Sequence, residues 1–291
     1  MEYHLREGDR MRVGFIGAGN VGCSLGRYFI FNKVEVAGYY SRTKKSAQLA
    51  ANITNTMQFD TIEEIVKICD TLFLTVPDSQ IKEVWNQVKS FPIKGKVICH
   101  CSGAMSADVF SEIHKRGAYG YSIHPMFPFN SKEISYEVMK KAYITVEGDL
   151  KKRDELVSLF EGFGNSVKVL EGEKKTLYHA AAVMASNQVV ALMEIAACLL
   201  KKCQFSEEEA LHALSPLAMG NMKNILEVGT TKALTGPIER NDVNTVQKHL
   251  AELEQEQRRV YKECSKVLMQ IANRKYPDRD EYELKELLEE K

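Results

Sequence analysis

The sequence predicts an α/β domain over residues 1–170, a mostly parallel sheet with helices on both faces, followed by an all-α domain over residues 171–291. Three observations carry this. Short apolar strand patterns alternate with amphipathic helix patterns up to about Leu170 and then stop. A glycine-rich turn joins the first strand to the first helix. Beyond Leu170 the patterns are long and helical, and a chain of 291 residues has room for both domains.

The run Met11 to Ile16 reads as the first strand, and Cys23 to Phe29 as the first helix. Between them lie Gly17, Ala18, Gly19, Asn20, Val21 and Gly22. This strand, G-x-G-x-x-G, helix order is the dinucleotide fingerprint of a Rossmann-type fold. The first glycine permits the tight turn, the second lets backbone approach a pyrophosphate, and the third lets helix and strand pack closely. The helix N-terminus then offers free N–H groups to the phosphates.

Val34 to Tyr40 is the second strand, and its end selects the nucleotide. An NAD site usually carries Asp or Glu there. Here the residues are Ser41, Arg42 and Thr43, a guanidinium between two hydroxyls, which suits the 2′-phosphate of NADP(H). A helix follows over Lys45 to Ala51, and Thr61 N-caps a short acidic-first-turn helix. Thr71 to Val76 is a strand for a sheet buried on both faces. Val76 and Pro77 at its C-terminal end fall against the nucleotide, and Asp78 is expected to cap the helix Gln80 to Val88.

The next strand, Lys96 to Cys101, ends in Ser102, Gly103 and Ala104, small residues that let a ligand approach backbone. Ser106 is expected to cap a helix reaching about Arg116. Tyr121 to Ile123 reads as a short strand that ends at His124 in the cleft, with substrate contact and loop-backbone bonding as the alternatives for its ring. Ala142 to Glu147, the helix Leu150 to Phe163 and the strand Ser166 to Val169 complete the α/β pattern.

Lys174 to Cys203 reads as one long helix, apolar nearly all round, which predicts burial on several sides. At roughly 100° per residue, Lys175, His179 and Ser186 fall within about 40° of arc, with Asn187 at the edge. Such a stripe needs partners or a cleft. Ser206 with Glu207 to Glu209 starts a capped helix. Gly236-Pro237 is a stiff turn, two helices run from Asp242 to Lys275, and Pro277 to Lys291 reads as a surface helix.

Composition narrows the function classes. The 39 basic and 39 acidic residues cancel, so charge suggests neither nucleic acid nor a membrane surface. No stretch reaches the roughly 20 uncharged residues of a membrane span. Met1 to Arg10 is a polar extension unlike a signal peptide. Seven cysteines without a C-x-x-C read as reduced core residues of a cytoplasmic protein, and no metal-ligand cluster stands out.

The glycine fingerprint, Val76-Pro77-Asp78, His100 to Ala104, His124-Pro125, Tyr178 to Ala182 through Ser186-Asn187, and Leu234 to Ile238 with Arg240 and Asp242 together resemble one family. It is the bacterial group that joins a Rossmann-like domain to a DUF2520 domain, similar in layout to pyrroline-5-carboxylate reductase and the β-hydroxyacid dehydrogenases. Asn241 departs from it, standing where the family more often has glycine. The resemblance implies an NADPH-dependent reductase of a small-molecule keto acid, since some members look like an alternative ketopantoate reductase that makes pantoate. It also implies a homodimer. Lys175, His179 and Asn187 would be catalytic, and Ser102 would lie on the cofactor. Gly103, His124, Ser186, Thr235 and Arg240 would lie on the substrate. The β-hydroxyacid dehydrogenases follow their lysine by asparagine one turn later. Here that position is His179, so either Lys175 or His179 can be the proton donor. The alternatives are an imine reductase of the pyrroline-5-carboxylate type and a non-catalytic NADP-binding sensor.

Overall fold

The computed structural model describes residues 11–134 and 136–289; the extension Met1 to Arg10 lies outside them. The chain divides into two compact units, Met1–Ala185 and Ser186–Lys291.

The first unit runs β1 (Arg12–Ile16), α1 (Asn20–Phe31), β2 (Glu35–Tyr40), α2 (Lys44–Thr54), β3 (Met57–Phe59), α3 (Ile62–Ile68), β4 (Thr71–Leu74), α4 (Asp78–Val88) and β5 (Val97–His100). It continues with β6 (Tyr119–Met126), α5 (Tyr136–Met139), β7 (Tyr143–Gly148), α6 (Arg153–Gly162), β8 (Ser166–Val169) and α7 (Lys175–Ala185). The strands form one sheet in the order β3-β2-β1-β4-β5-β6-β7-β8. Neighbours are parallel except β6 and β7, which pair antiparallel. The order reverses between β1 and β4, which opens a crevice at their C-terminal ends.

Both faces of the sheet are covered, as the expected α/β class requires. Along β4, Phe73 enters a core with Phe15, Phe29 and Tyr39, while Leu72 and Leu74 enter the opposite core with Ile65 and Trp85. This two-faced burial is why β4 reads as an apolar run rather than an alternation. The Thr61 cap is a full capping box with Glu64.

Several elements differ from the sequence reading. The short edge strand β3 carries no strong apolar pattern and was not expected. The helix expected from Ser106 to Arg116 is two 3-10 turns, Ala107–Val109 and His114–Arg116; the Ser106 hydroxyl bonds the Asp108 carboxylate instead of capping. β6 runs on through His124 and Pro125, because the antiparallel partner β7 pairs His124 with Thr145 and Met126 with Tyr143.

The second unit holds α8 (Asn187–Lys202), α9 (Glu207–Ala233), α10 (Val243–Glu252), α11 (Gln255–Lys275) and α12 (Tyr282–Glu289). The Ser206–Glu209 capping box starts α9. Its core is Ile238, Val246, Leu250, Leu284 and Leu288. The terminal helix is therefore packed by its leucines rather than lying wholly at the surface.

The long helix expected from Lys174 to Cys203 is two helices. Ser186 breaks it with φ −123° and ψ −75°. Ser-Asn is a pair whose side chains compete for backbone hydrogen bonds, which favours caps over helix interiors. The angular phase of Ser186 and Asn187 relative to Lys175 and His179 therefore does not carry through. The expected all-round burial is also not met within the unit: α8 buries only Ala197, and Val190 is 70% exposed. By length and composition Gly172–Lys202 is apolar enough to cross a membrane, where the sequence reading found no such stretch.

Candidate active site

The glycine turn after β1 fits the fingerprint on physical grounds. Gly17 has φ +116°, and a Cβ there would lie 2.6 Å from the Thr75 backbone. A Cβ on Gly22 would lie 2.4 Å from Thr75 Oγ1 and 2.6 Å from the Gly17 carbonyl oxygen. Thr75 Oγ1 in turn donates to the Gly17 carbonyl at 2.9 Å. Two glycines are thus demanded by the fold. Gly19 is not: a Cβ there would meet nothing within 4 Å, although its φ of −79° suits any residue. Gly19 N-caps α1 without a side-chain bond, so the first-turn N–H groups remain to be satisfied. Backbone bare of a side chain, at an uncapped helix start, fits a pyrophosphate. Ala18 is buried and Val21 half-buried beside it, while Asn20 is tied to the loop after β6, its Nδ2 donating to the Phe129 carbonyl at 3.0 Å.

At the end of β2, Ser41 is half-buried and Arg42 and Thr43 are exposed. Thr43 N-caps α2 without using its hydroxyl. Among the described residues Arg42 has no ion pair. Val76 is half-buried and Pro77 exposed at the end of β4. Asp78 does not cap α4; Pro77 is the N-cap, and Asp78 Oδ2 accepts a bond of 2.6 Å from Ser102 Oγ. Ser102 Oγ also accepts from the Ala104 and Met105 backbone N–H groups, which shapes the turn after β5.

A second polar group lies at the same end of the sheet. Lys175, the first residue of α7, is 1% exposed. Its Nζ donates to the Ser102 carbonyl at 3.0 Å and to Ser122 Oγ at 2.7 Å. Ser122 Oγ also donates to the Ser102 carbonyl, at 3.2 Å. Burial brings the Lys175 ammonium down to about 8, against the opposing pull of the Glu147 carboxylate. Two of the three ammonium N–H groups are thus bonded within the protein, and the Tyr178 ring lies with its centroid 5.6 Å from Nζ.

His124 Nδ1 bonds Tyr178 Oη at 2.8 Å, so its partner is α7 rather than loop backbone. Burial lowers His124 to about 4, and His100 to about 4 likewise, so both rings are neutral at pH 7. His100 accepts from the Ser102 N–H at Nδ1 and meets the Ser106 carbonyl with Nε2. Gly103 sits directly under both rings of the cluster: a Cβ would be 2.5 Å from His179 Nδ1 and 3.0 Å from His124 Nε2. His179 Nδ1 is buried without a hydrogen-bond partner. The sheet and α7 thus bring together Ser102, Gly103, His124, Lys175 and His179, all within one unit.

Asp78, His100, Ser122, Glu147 and Tyr178 belong to the same cluster; none of them has a site role in the sequence reading, although Asp78, His100 and Tyr178 lie in stretches that carry the family resemblance. A signal was present. His100 and Ser102, Ser122 and His124, and Thr145 and Glu147 are polar pairs two residues apart on or beside otherwise apolar strands. That spacing turns both members to one face.

In the second unit, Ser186 and Asn187 are exposed at the start of α8, and Thr235 and Arg240 are exposed in the loop after α9. Among the described residues the Arg240 guanidinium has no hydrogen bond or ion pair. Asn241 has φ +56°, a left-handed conformation that glycine adopts freely and asparagine tolerates, and its Nδ2 donates to the Asp280 carbonyl at 3.0 Å.

The chain matches two family profiles, a Rossmann-like domain over residues 3–125 and the domain of unknown function DUF2520 over residues 142–268. It matches no curated protein sequence. Among solved structures it is similar to a Thermotoga maritima protein, with 27% identity, a TM-score of 0.72, and coverage of 91% of this chain and 99% of that one. It is similar to a candidate NADP oxidoreductase from Bacteroides fragilis, with 23% identity, a TM-score of 0.71, and coverage of 89% and 98%. A pyrroline-5-carboxylate reductase from Coxiella burnetii shares the fold at 14% identity and a TM-score of 0.61, with coverage of 91% and 97%.

Proposed function

Because the chain belongs to the proteins that join a Rossmann-like domain to a DUF2520 domain, we propose that it is an NADPH-dependent reductase of a small keto acid, with 2-dehydropantoate (ketopantoate) to pantoate as its first candidate reaction. The observation that carries this reading is the buried Lys175 ammonium at the C-terminal edge of the sheet that also carries the Gly17–Gly22 cradle. Hydrogen bonds tie each to the turn after β4: Thr75 Oγ1 donates to the Gly17 carbonyl, and Asp78, three residues on, accepts from Ser102, whose carbonyl accepts from Lys175. Similarity to an NADP oxidoreductase and to a pyrroline-5-carboxylate reductase supports the reaction class.

NADPH, when bound, supplies the hydride. The chain does the rest. Gly19 and the α1 N-terminus take the pyrophosphate, with Val76 and Pro77 alongside. Ser41, Arg42 and Thr43 take the 2′-phosphate. As a carbonyl oxygen gains negative charge, Lys175 donates a hydrogen bond and then a proton. Ser102 and Ser122 hold its other two N–H groups and fix its direction. His179 and the neutral His124 orient the substrate over Gly103. On the second unit, Ser186, Asn187 and Thr235 carry exposed hydrogen-bonding groups. The Arg240 guanidinium has the planar fork that takes a carboxylate bidentately.

A panel of 2-keto acids, ketopantoate first, tests this with NADPH and NADH at the nicotinamide absorbance band. The expected result is NADPH oxidation with ketopantoate preferred. Turnover of cyclic imines alone would make the protein an imine reductase; nucleotide binding without turnover of either class would make it a sensor. Arg42→Ala is expected to weaken NADPH by about 10-fold, about 1.4 kcal/mol, and leave NADH unchanged in titration calorimetry.

We propose that the protein is a cytoplasmic homodimer. Its cysteines are all free, and α8 and α9 expose Val190, Leu192, Leu217 and Leu226, an apolar surface a lone chain rarely leaves open. Light scattering at twice the chain mass is the expected result.

A further inference from the structure

We propose that Glu147 is the positioning residue that keeps Lys175 protonated, acting across the Ser122–Glu147 strand pair. The inference deepens the reading of Lys175 as proton donor and rests on it.

Ser122 on β6 and Glu147 on β7 stand directly opposite each other in the antiparallel ladder. Side chains so paired share one face, with Cβ atoms about 4.5–5.5 Å apart. Ser122 Oγ is the atom that receives Lys175 Nζ at 2.7 Å. Glu147 is itself buried. Its Oε2 accepts the Ala107 N–H at 2.7 Å, which fixes the carboxylate. Its Oε1 lies against Gly172, where a Cβ would come within 3.2 Å. Gly172 opens the 3-10 turn that leads into α7. The carboxylate therefore sits between the sheet and the start of α7. A cation at a helix start is opposed by the helix dipole. Lys175, at that start and buried, is disfavoured as a charge on both counts.

The groups around it differ in what they can offset. From β5, the loop after it and β6 come His100, Cys101 and His124. Burial leaves both imidazoles neutral and pushes the Cys101 thiol up to about 12, so none supplies a negative charge at pH 7. Tyr178 on α7 is raised above its ordinary value and stays neutral, and His179 follows it on the same helix. Asp78 on α4 is exposed and bonded to Ser102 Oγ. Glu147 is the buried carboxylate, and of the acidic groups it favours the Lys175 ammonium most strongly.

The test uses Glu147→Gln, with Glu147→Ala as a second neutral variant and Glu147→Asp as the charge-retaining control, each in the full chain. Two readouts are taken. One is the pH profile of kcat/KM with NADPH and ketopantoate. The other is competitive acetylation of the Lys175 amine by acetic anhydride across pH, read by mass spectrometry, which needs no turnover. Neutralising Glu147 is expected to move the alkaline limb and the labelling midpoint down by about one pH unit. KM should stay within about twofold, and the Asp variant should restore most of the shift. A labelling midpoint that stays at the wild-type pH in whichever neutral variant is folded would overturn the proposal. A shifted midpoint in a protein that reduces no keto acid would uphold Glu147 and reject the reductase reading.

Discussion

Replacing Lys175 with methionine is expected to lower kcat for keto-acid reduction by about 10²- to 10⁴-fold, the usual worth of a positioned general acid, while the fold persists. The side chain is buried, so its charge weighs on stability. Its folded value of about 8 lies below the ordinary 10.5. Below pH 8 the amine is protonated in both folded and unfolded chains, and the cost of burying the charge is fully present. Between pH 8 and 10.5 the unfolded chain binds more protons, so wild-type stability rises with pH across that window. The interval corresponds to about 3 kcal/mol at about 1.4 kcal/mol per pH unit. Lys175→Met lacks this dependence. The expected result in denaturant titrations is a wild type that gains on the variant by about 3 kcal/mol from pH 8 to 10.5. Loss of the bonds to Ser102 and Ser122 sets the variant's absolute offset and not the slope. A variant with full turnover, or one showing the same pH slope as wild type, would contradict the role.

The second large effect separates two glycines of one motif. Gly19→Val is expected to cost stability no more than about 1 kcal/mol, the loss of a favoured N-cap residue, since a Cβ there meets no protein atom within 4 Å and the backbone angle suits it. NADPH affinity should fall by about 100-fold, about 2.7 kcal/mol, because the side chain fills the space the phosphates take. Gly22→Ala is expected to do the reverse first. Its Cβ would enter within 2.4 Å of Thr75 Oγ1 and 2.6 Å of the Gly17 carbonyl, so helix and strand must part. Overpacking of this kind costs about 1–3 kcal/mol. Thermal melts and fluorescence titration with NADPH, run on both variants, check the contrast. Equal loss of stability at the two positions would show that Gly19 too is a packing glycine.

Much of the architecture was legible because it follows from local rules. Apolar runs such as Thr71 to Val76 announce strands buried on both faces, and Thr61 and Ser206 announce helix starts through their side chains. The glycine turn was legible because strand, turn and helix occur in the order that its chemistry needs. The candidate site was legible only in part. Lys175, His179 and His124 stood out as polar residues in apolar settings. Ser122 and Glu147 did not, because their importance arises from the β6–β7 pairing, and register between strands is a tertiary fact. The break at Ser186 was hidden by the strong helical pattern on either side. The turns from Ala107 to Arg116 were hidden because a Ser–Asp bond replaced the expected cap. Asn241 was readable as a departure, and its left-handed backbone explains why glycine and asparagine are both favoured there.

The central claim is that a lysine titrating near neutrality delivers the proton in an NADPH-dependent reduction. The pH dependence of kcat/KM for wild-type protein, followed at the nicotinamide absorbance band with ketopantoate or the best keto acid of the panel, tests it most directly. Activity is predicted to fall through a single ionisation near pH 8 as Lys175 loses its proton, and that ionisation should be missing from the residual rate of Lys175→Met. A profile flat from pH 7 to 10 in the wild type, or the same ionisation persisting in the variant, would contradict it.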